Sequence, residues 1–228
     1  MKRWLAPALC TFFAVAAVAQ KAEDKRLEAS YETLRDILGM PDKGIPRDLL
    51  NKAECVIVVP SMKKAAFIVG ASYGRGVMTC RSGENFRGSW SAPAFFALEG
   101  ASFGLQAGGE ATDYVILVMN EKGAKSVMAS KVKLGADASV AAGPVGRTTS
   151  AETDIVMNAE MLAWSRAKGV FAGVSLEGST IRSDDSANKN LYGKEVNAKQ
   201  IIIQKEEKTP DAGKQLIALL DKTSPKHL

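Results

Sequence analysis

The segment CVIVVPSMKKAAFIVGASYGRGVMTCR, Cys55 to Arg81, decides the fold class. Cys55–Val59 and Ala65–Ala71 are unbroken apolar runs rich in β-branched residues, the composition of strands covered on both faces. Pro60–Lys64 reads as the turn between them. Tyr73–Gly76 reads as a second tight turn, leading into Val77–Arg81, and Ser82–Asn85 as a third. Short strands joined by proline and glycine turns predict an antiparallel meander. In that meander Cys55 lies on the first strand and Cys80 on the third. Alternate strands are about 10 Å apart, whereas a disulfide needs Cα atoms within about 7 Å. Both thiols are therefore expected to be free.

Downstream, Ala94–Gln106 and Tyr114–Met119 are strand-like, and Glu121–Ser130 has the length of a short helix. Val132, Leu134, Ala136, Ala138 and Val140 alternate with polar or small residues, the period of a strand with one buried face. Val170, Ala172, Val174 and Leu176 repeat that pattern, and Ala212–Leu220 reads as a closing helix. Upstream, Leu27, Tyr31, Leu34 and Leu38 recur on one face of a 3.6-residue period. Gly39 and Pro41 end that helix, and Pro46 opens a second. The expected class is α+β. Its core is an antiparallel, strongly curved, glycine-rich sheet or barrel, with N-terminal helices and a C-terminal helix.

The ends set the compartment. Met1-Lys2-Arg3 is a positive n-region, Trp4–Val18 carries no charge, and Ala17-Val18-Ala19 is a small-x-small boundary. The apolar run is shorter than the roughly 20 residues that span a bilayer. Residues 1–19 therefore read as a signal peptide cut before Gln20. The expected mature chain is one domain over 20–228, with its core at about 27–205 and a short tail. Export, to the periplasm or beyond and peripheral to a membrane, follows as the expectation. Losing Lys2 and Arg3 takes the net charge from +5 to +3. So mild a balance does not suggest nucleic acid as a partner.

Catalytic and metal signatures are missing. The one histidine, His227, is next to last, which leaves neither a histidine base nor histidine metal ligation to propose. Gly193-Lys194-Glu195 lacks the hydroxyl and spaced glycine of a phosphate loop. Gly173–Gly178 misplaces the glycine of a nucleophile elbow. No enzyme activity, catalytic residue, metal or cofactor is expected. Glycines inside strand-like segments (Gly100, Gly104, Gly108, Gly109, Gly135, Gly143, Gly146) mark either tight bends of a curved sheet or a backbone cradle for a head group. Cations are unevenly spread. Lys63, Lys64, Arg75, Arg81 and Arg87 face one acid, Glu84, between Ser61 and Gly88, and Lys131 and Lys133 add to them. Such a patch either attracts anionic lipid, at about 1 kcal/mol per cation, or is an ordinary solvated surface.

Four blocks carry a resemblance. ASYGRGV at residues 71–77, LGADASVAAGPVGR at 134–147, SRAKGVFAGVSLEG at 165–178 and YGK at 192–194 resemble, in order, the signature of the SYLF domain family. The likeness covers about residues 27–205. It implies a phospholipid- and phosphoinositide-binding domain, whose eukaryotic relatives join SH3 or FYVE modules and bind actin filaments. With its leader, this chain is similar to exported bacterial members, so envelope anionic lipids replace phosphoinositides as the expected ligand and actin is not expected. The alternative is a structural or protein-interaction module of the periplasm. Lys63, Lys64 and Arg87 are the expected membrane-facing group. Arg81, Arg75, Lys131 and Lys133 are further candidates, with Arg75 expected to be more structural.

Overall fold

The computed structural model describes residues 8–40, 44–66, 69–83, 85–103, 110–129, 131–145, 158–204 and 207–225. Gly104, Gly108, Gly109, Gly146, Met1-Lys2-Arg3 and His227 lie outside them. Helix α1 (Ala8–Leu38) and the short α2 (Arg47–Lys52) lead into a hairpin of two long strands, β1 (Cys55–Ala66) and β2 (Val69–Cys80). Then come β3 (Ala94–Phe103), β4 (Glu110–Val118), α3 (Glu121–Ala129), β5 (Val132–Lys133), β6 (Val140–Ala142), β7 (Met161–Ala167), β8 (Val170–Gly173) and β9 (Thr180–Ser183). Helices α4 (Asp185–Tyr192), α5 (Ala198–Ile202) and α6 (Lys214–Thr223) follow.

One sheet runs β5-β9-β3-β2-β1-β4-β7, and β6 and β8 share the outer edge of β7. It curls into a half-barrel. The expected α+β class and curvature hold, but the sheet is mixed rather than antiparallel, because β6 runs parallel to β7. Both faces are covered, as the continuous apolar runs require. Val56, Val58, Val77, Phe95, Val115, Leu117 and Trp164 pack under α1, α2, α4 and α6. Ile57, Met78, Phe96, Ile116, Val118 and Met161 pack under α3 and α5.

The meander is corrected. Pro60–Lys64 is a bulge inside β1, not a turn. The register against β2 shifts between Val58 and Lys63, and against β4 between Val59 and Met62. Ser61 sits at φ 52 with its N–H donated to Asp113 Oδ1. Gly74 and Gly76 make room for the bulge instead of turning the chain. A Cβ at Gly76 would stand 2.1 Å from the Val58 carbonyl oxygen, and one at Gly74 2.6 Å from Val59 Cγ1. The run Ala65–Ala71 is thus divided between the end of β1 and the start of β2, and Tyr73–Gly76 continues β2 into Val77–Cys80 without a turn. Cys80 becomes the direct partner of Cys55, with Cα atoms 3.9 Å apart and a disulfide between them. The expectation of free thiols is overturned for that reason.

Two other strand readings change. The alternation from Val132 to Val140 holds in burial except at Ala136, which is exposed, and it spans two strands on opposite edges of the sheet. Gly135 at φ 86, and Asp137 accepting the Lys133 N–H, turn the chain between them. In β8 the phase is reversed: Phe171 is buried, and Val170 stands 68% exposed.

At the foot of β1, burial pushes the Glu54 carboxyl up from 4.5 to about 7. Glu121 reinforces the shift and Lys125 opposes it. The folded chain therefore keeps a proton that the unfolded chain has released between those pH values, and stability falls as pH climbs through that window. We expect Glu54→Gln to raise the unfolding free energy by about 1 kcal/mol at pH 8, after allowing for solvent screening. The gain should vanish at pH 4. Urea titrations at the two pH values measure it, and equal effects at both would place the proton elsewhere.

Candidate functional site

Above α1, one row of paired residues crosses five strands. Lys133 faces Thr180, Thr180 faces Glu99, Glu99 faces Tyr73, and Tyr73 faces Lys63. Directly paired residues share a sheet face. On β2, Tyr73 and Arg75 alternate with Gly74 and Gly76 and share the side of Val77, which belongs to the α1 core. Lys63 and Lys133 thus bracket the row about 19 Å apart along the sheet, at about 4.8 Å per strand. Both are exposed, and among the described residues neither forms an ion pair. Tyr73 between them is 45% exposed, one of two large apolar side chains so placed among the described residues.

One step along the strands lies a second row, Arg182–Ala97–Arg75. Here the charges are committed. Arg75 Nε donates to Asp184 Oδ2 at 2.6 Å, and its Nη2 lies 3.4 Å from Glu23 Oε1. Burial draws the Arg75 guanidinium down, but the bond to Asp184 and the charges of Asp184 and Glu23 together outweigh it and hold the pKa above the usual value. Asp184 also accepts the Ala187 N–H and so caps α4. Glu23, buried on α1, is shared with Arg26, whose guanidinium lies 5.1 Å over the Phe95 ring. Burial lowers the Arg26 pKa, with Glu23 opposing. Arg75 therefore ties β2 to α1 and α4. Arg182 Nε donates to Glu99 Oε1 at 2.7 Å, a bond that raises the arginine's pKa.

The expected trio of Lys63, Lys64 and Arg87 is not a group. Lys64, one residue on from Lys63, points to the opposite face, paired with Ser72. Arg87 is exposed beyond the far end of the hairpin, about eight residues or roughly 26 Å from Lys63. Arg81 is fully buried. Its Nη2 donates to Ser224 O and Oγ and to Pro225 O, with the guanidinium 4.2 Å from the Trp90 ring centroid. It fastens the end of α6 to the sheet. Lys131 is exposed just before β5. Of the seven candidates, the structure gathers Lys63, Arg75 and Lys133 on one face and adds Tyr73 and Arg182. Tyr73 was legible inside its motif but read as a turn residue. Arg182 carried no signal, because its place depends on register. Glu99 pairs with Arg182 and Asp113 with Arg166.

The motif glycines have a packing role. A Cβ on Gly143 would stand 2.0 Å from Trp164 Cε2, and one on Gly173 2.0 Å from the Gly143 carbonyl oxygen. Trp164 Nε1 donates to Pro144 O, the Gly178 N–H to Leu134 O, and Tyr192 Oη to Pro93 O. The last three sequence blocks are thus fastened into one core.

A family model described as Ysc84, Las17-binding protein actin regulator, matches residues 99–223. The chain belongs to this SYLF/Ysc84 family. It is 35% identical over 188 residues to the Saccharomyces cerevisiae LAS seventeen-binding protein 3, covering 80% of this chain and 40% of that protein. It is 34% identical to S. cerevisiae Protein YSC84 over 183 residues, 79% of this chain and 38% of the relative. To the human SH3 domain-containing YSC84-like protein 1 it is 30% identical over 188 residues, 82% of this chain and 54% of the relative. The chain thus spans about half or less of the length of these relatives. The first of these relatives is named a binding protein, and the description of the family model is that of a binding protein and actin regulator. Of the Tyr73 row and its arginines, Lys63, Tyr73 and Arg75 lie before the matched span, on β1 and β2, and Glu99, Lys133, Thr180 and Arg182 lie inside it.

Proposed function

We propose that this chain is a non-enzymatic binding module that meets an anionic phospholipid surface with Lys63, Tyr73 and Lys133. The observation that carries this reading is the pairing of two uncommitted ammonium groups with an exposed phenol on one sheet face. Tyrosine has an apolar ring and a polar tip suited to a membrane–water boundary. Each lysine near such a surface adds about 1 kcal/mol. Arg75 and Arg182, held by carboxylates, shape the face rather than bind.

Vesicle sedimentation tests it. Phosphatidylglycerol-rich vesicles are expected to retain the protein where phosphatidylcholine vesicles do not. Binding should weaken as salt rises, because exposed charges are screened over about 8 Å at physiological ionic strength. Lys63→Glu with Lys133→Glu should lower the affinity at least tenfold at an unchanged thermal transition. A double variant that binds like the parent sinks the assignment of the face. The names of the relatives support a second reading, a protein partner of the kind that LAS seventeen-binding proteins have. Absent vesicle binding with a specific crosslinked partner would favour it.

Export is part of the proposal, to the periplasm or beyond. Glu23, the first buried residue of α1 among those described, lies inside the chain that a cut before Gln20 would leave. An intramolecular disulfide also suits an oxidising compartment. Intact mass from the cell envelope should start at Gln20. A mass retaining Met1–Ala19 contradicts this. Actin, a cytosolic filament, is left out of the proposal for that reason.

A further inference from the structure

On the sheet face away from α1, a cleft of about 540 Å³ opens between α3, α5 and the loop after β2. That lies within the roughly 300–1,000 Å³ of small-molecule sites. Its apolar wall is the skin of the core. Phe86 belongs to the buried cluster, and Met128 and Ile203 pack against it. Phe86 is held at φ 51, a left-handed conformation that an aromatic residue enters only under constraint. Three charges line the cleft. Lys125 pairs with Glu121 on α3, while Lys199 on α5 forms no ion pair among the described residues. Beside them, Glu54 Oε2 is buried without a hydrogen-bond partner.

We propose that this cleft binds a single-chain, monoanionic amphiphile of the fatty-acid class. The alkyl chain lies on Phe86, Met128 and Ile203, and the carboxylate pairs with the Lys199 ammonium. The charge count selects the head group. Glu121 already balances Lys125, so one positive charge remains, and the second charge of a dianionic head would find no cation left and would meet Glu121. The apolar wall selects a chain over a free anion. This site is separate from the Tyr73 face and does not rest on the lipid-surface reading.

Calorimetric titration with dodecanoate, below its micellar concentration, tests it on the full chain. Micromolar binding is expected, strengthening roughly two- to fourfold per methylene from octanoate to dodecanoate. Lys199→Glu should weaken dodecanoate about tenfold and turn the preference towards dodecyltrimethylammonium. Ala129→Trp, an exposed position on the cleft's rim, should block both ligands. Thermal transitions of the two variants check that each is folded. The pair Lys63→Glu and Lys133→Glu should leave dodecanoate binding unchanged, so failure here and failure of the vesicle reading are distinguishable. No binding at millimolar dodecanoate, or binding indifferent to both Lys199→Glu and Ala129→Trp, overturns the proposal.

Discussion

A Cys55→Ala/Cys80→Ala double variant is expected to lose about 3 kcal/mol of unfolding free energy. The bridge joins residues 25 apart, so its removal returns loop-closure entropy to the unfolded chain. For a domain of this size that shifts the midpoint by about 6–12 °C. Both cysteines are fully buried where β1 and β2 begin and end, so reductant should act only once the sheet opens. Alkylation in denaturant without reductant should label neither, and digestion should return a Cys55–Cys80 crosslinked peptide. Two labelled thiols would mean that β1 and β2 are not paired in this register.

Gly143→Ala should destabilise by about 3 kcal/mol or more, an unusually large effect for one methyl group. The added carbon would stand 2.0–2.5 Å from three atoms of the Trp164 indole. That ring has no room to move: it is fully buried, and its N–H is bound to Pro144 O. Gly83→Ala is the control. Gly83 has φ +87 and no atom within 4 Å of a Cβ, so only backbone strain applies, about 1 kcal/mol. Chemical denaturation of the two variants gives the comparison. Equal losses would show that the chain leaving β6 at Gly143 does not pass Trp164 of β7 in this way.

Which parts of this protein were legible in its sequence follows from the range of the forces involved. The Leu27–Leu34 stripe, the covered strands of Cys55–Val59 and the helix at Glu121 are set by periodicity within a few residues of chain, and each is where the pattern puts it. The bulge at Pro60–Lys64 is not local. Proline, serine and two lysines look like a turn, and they form a bulge only because Gly74, Gly76 and Asp113 on neighbouring strands accommodate them. That misreading split β1 in two, as the turn read at Tyr73–Gly76 split β2, and together they separated the cysteines and set Lys63 beside the wrong partners.

The sequence by itself determined the family, the α+β class and the doubly covered core, because these depend on residue type and spacing along the chain. It also supplied Lys63, Arg75 and Lys133 as candidates. Only the tertiary structure decided which cations are spent and which are available. Arg81 and Arg75 have the same charge as Lys63. One is buried against Trp90 and Ser224 and the other is held by Asp184 and Glu23, while Lys63 faces water beside Tyr73. A side chain's charge is written in the sequence. Its partners are fixed by strand register and sheet face, and those arise only when residues more than a hundred positions apart, such as Arg75 and Asp184, pack together.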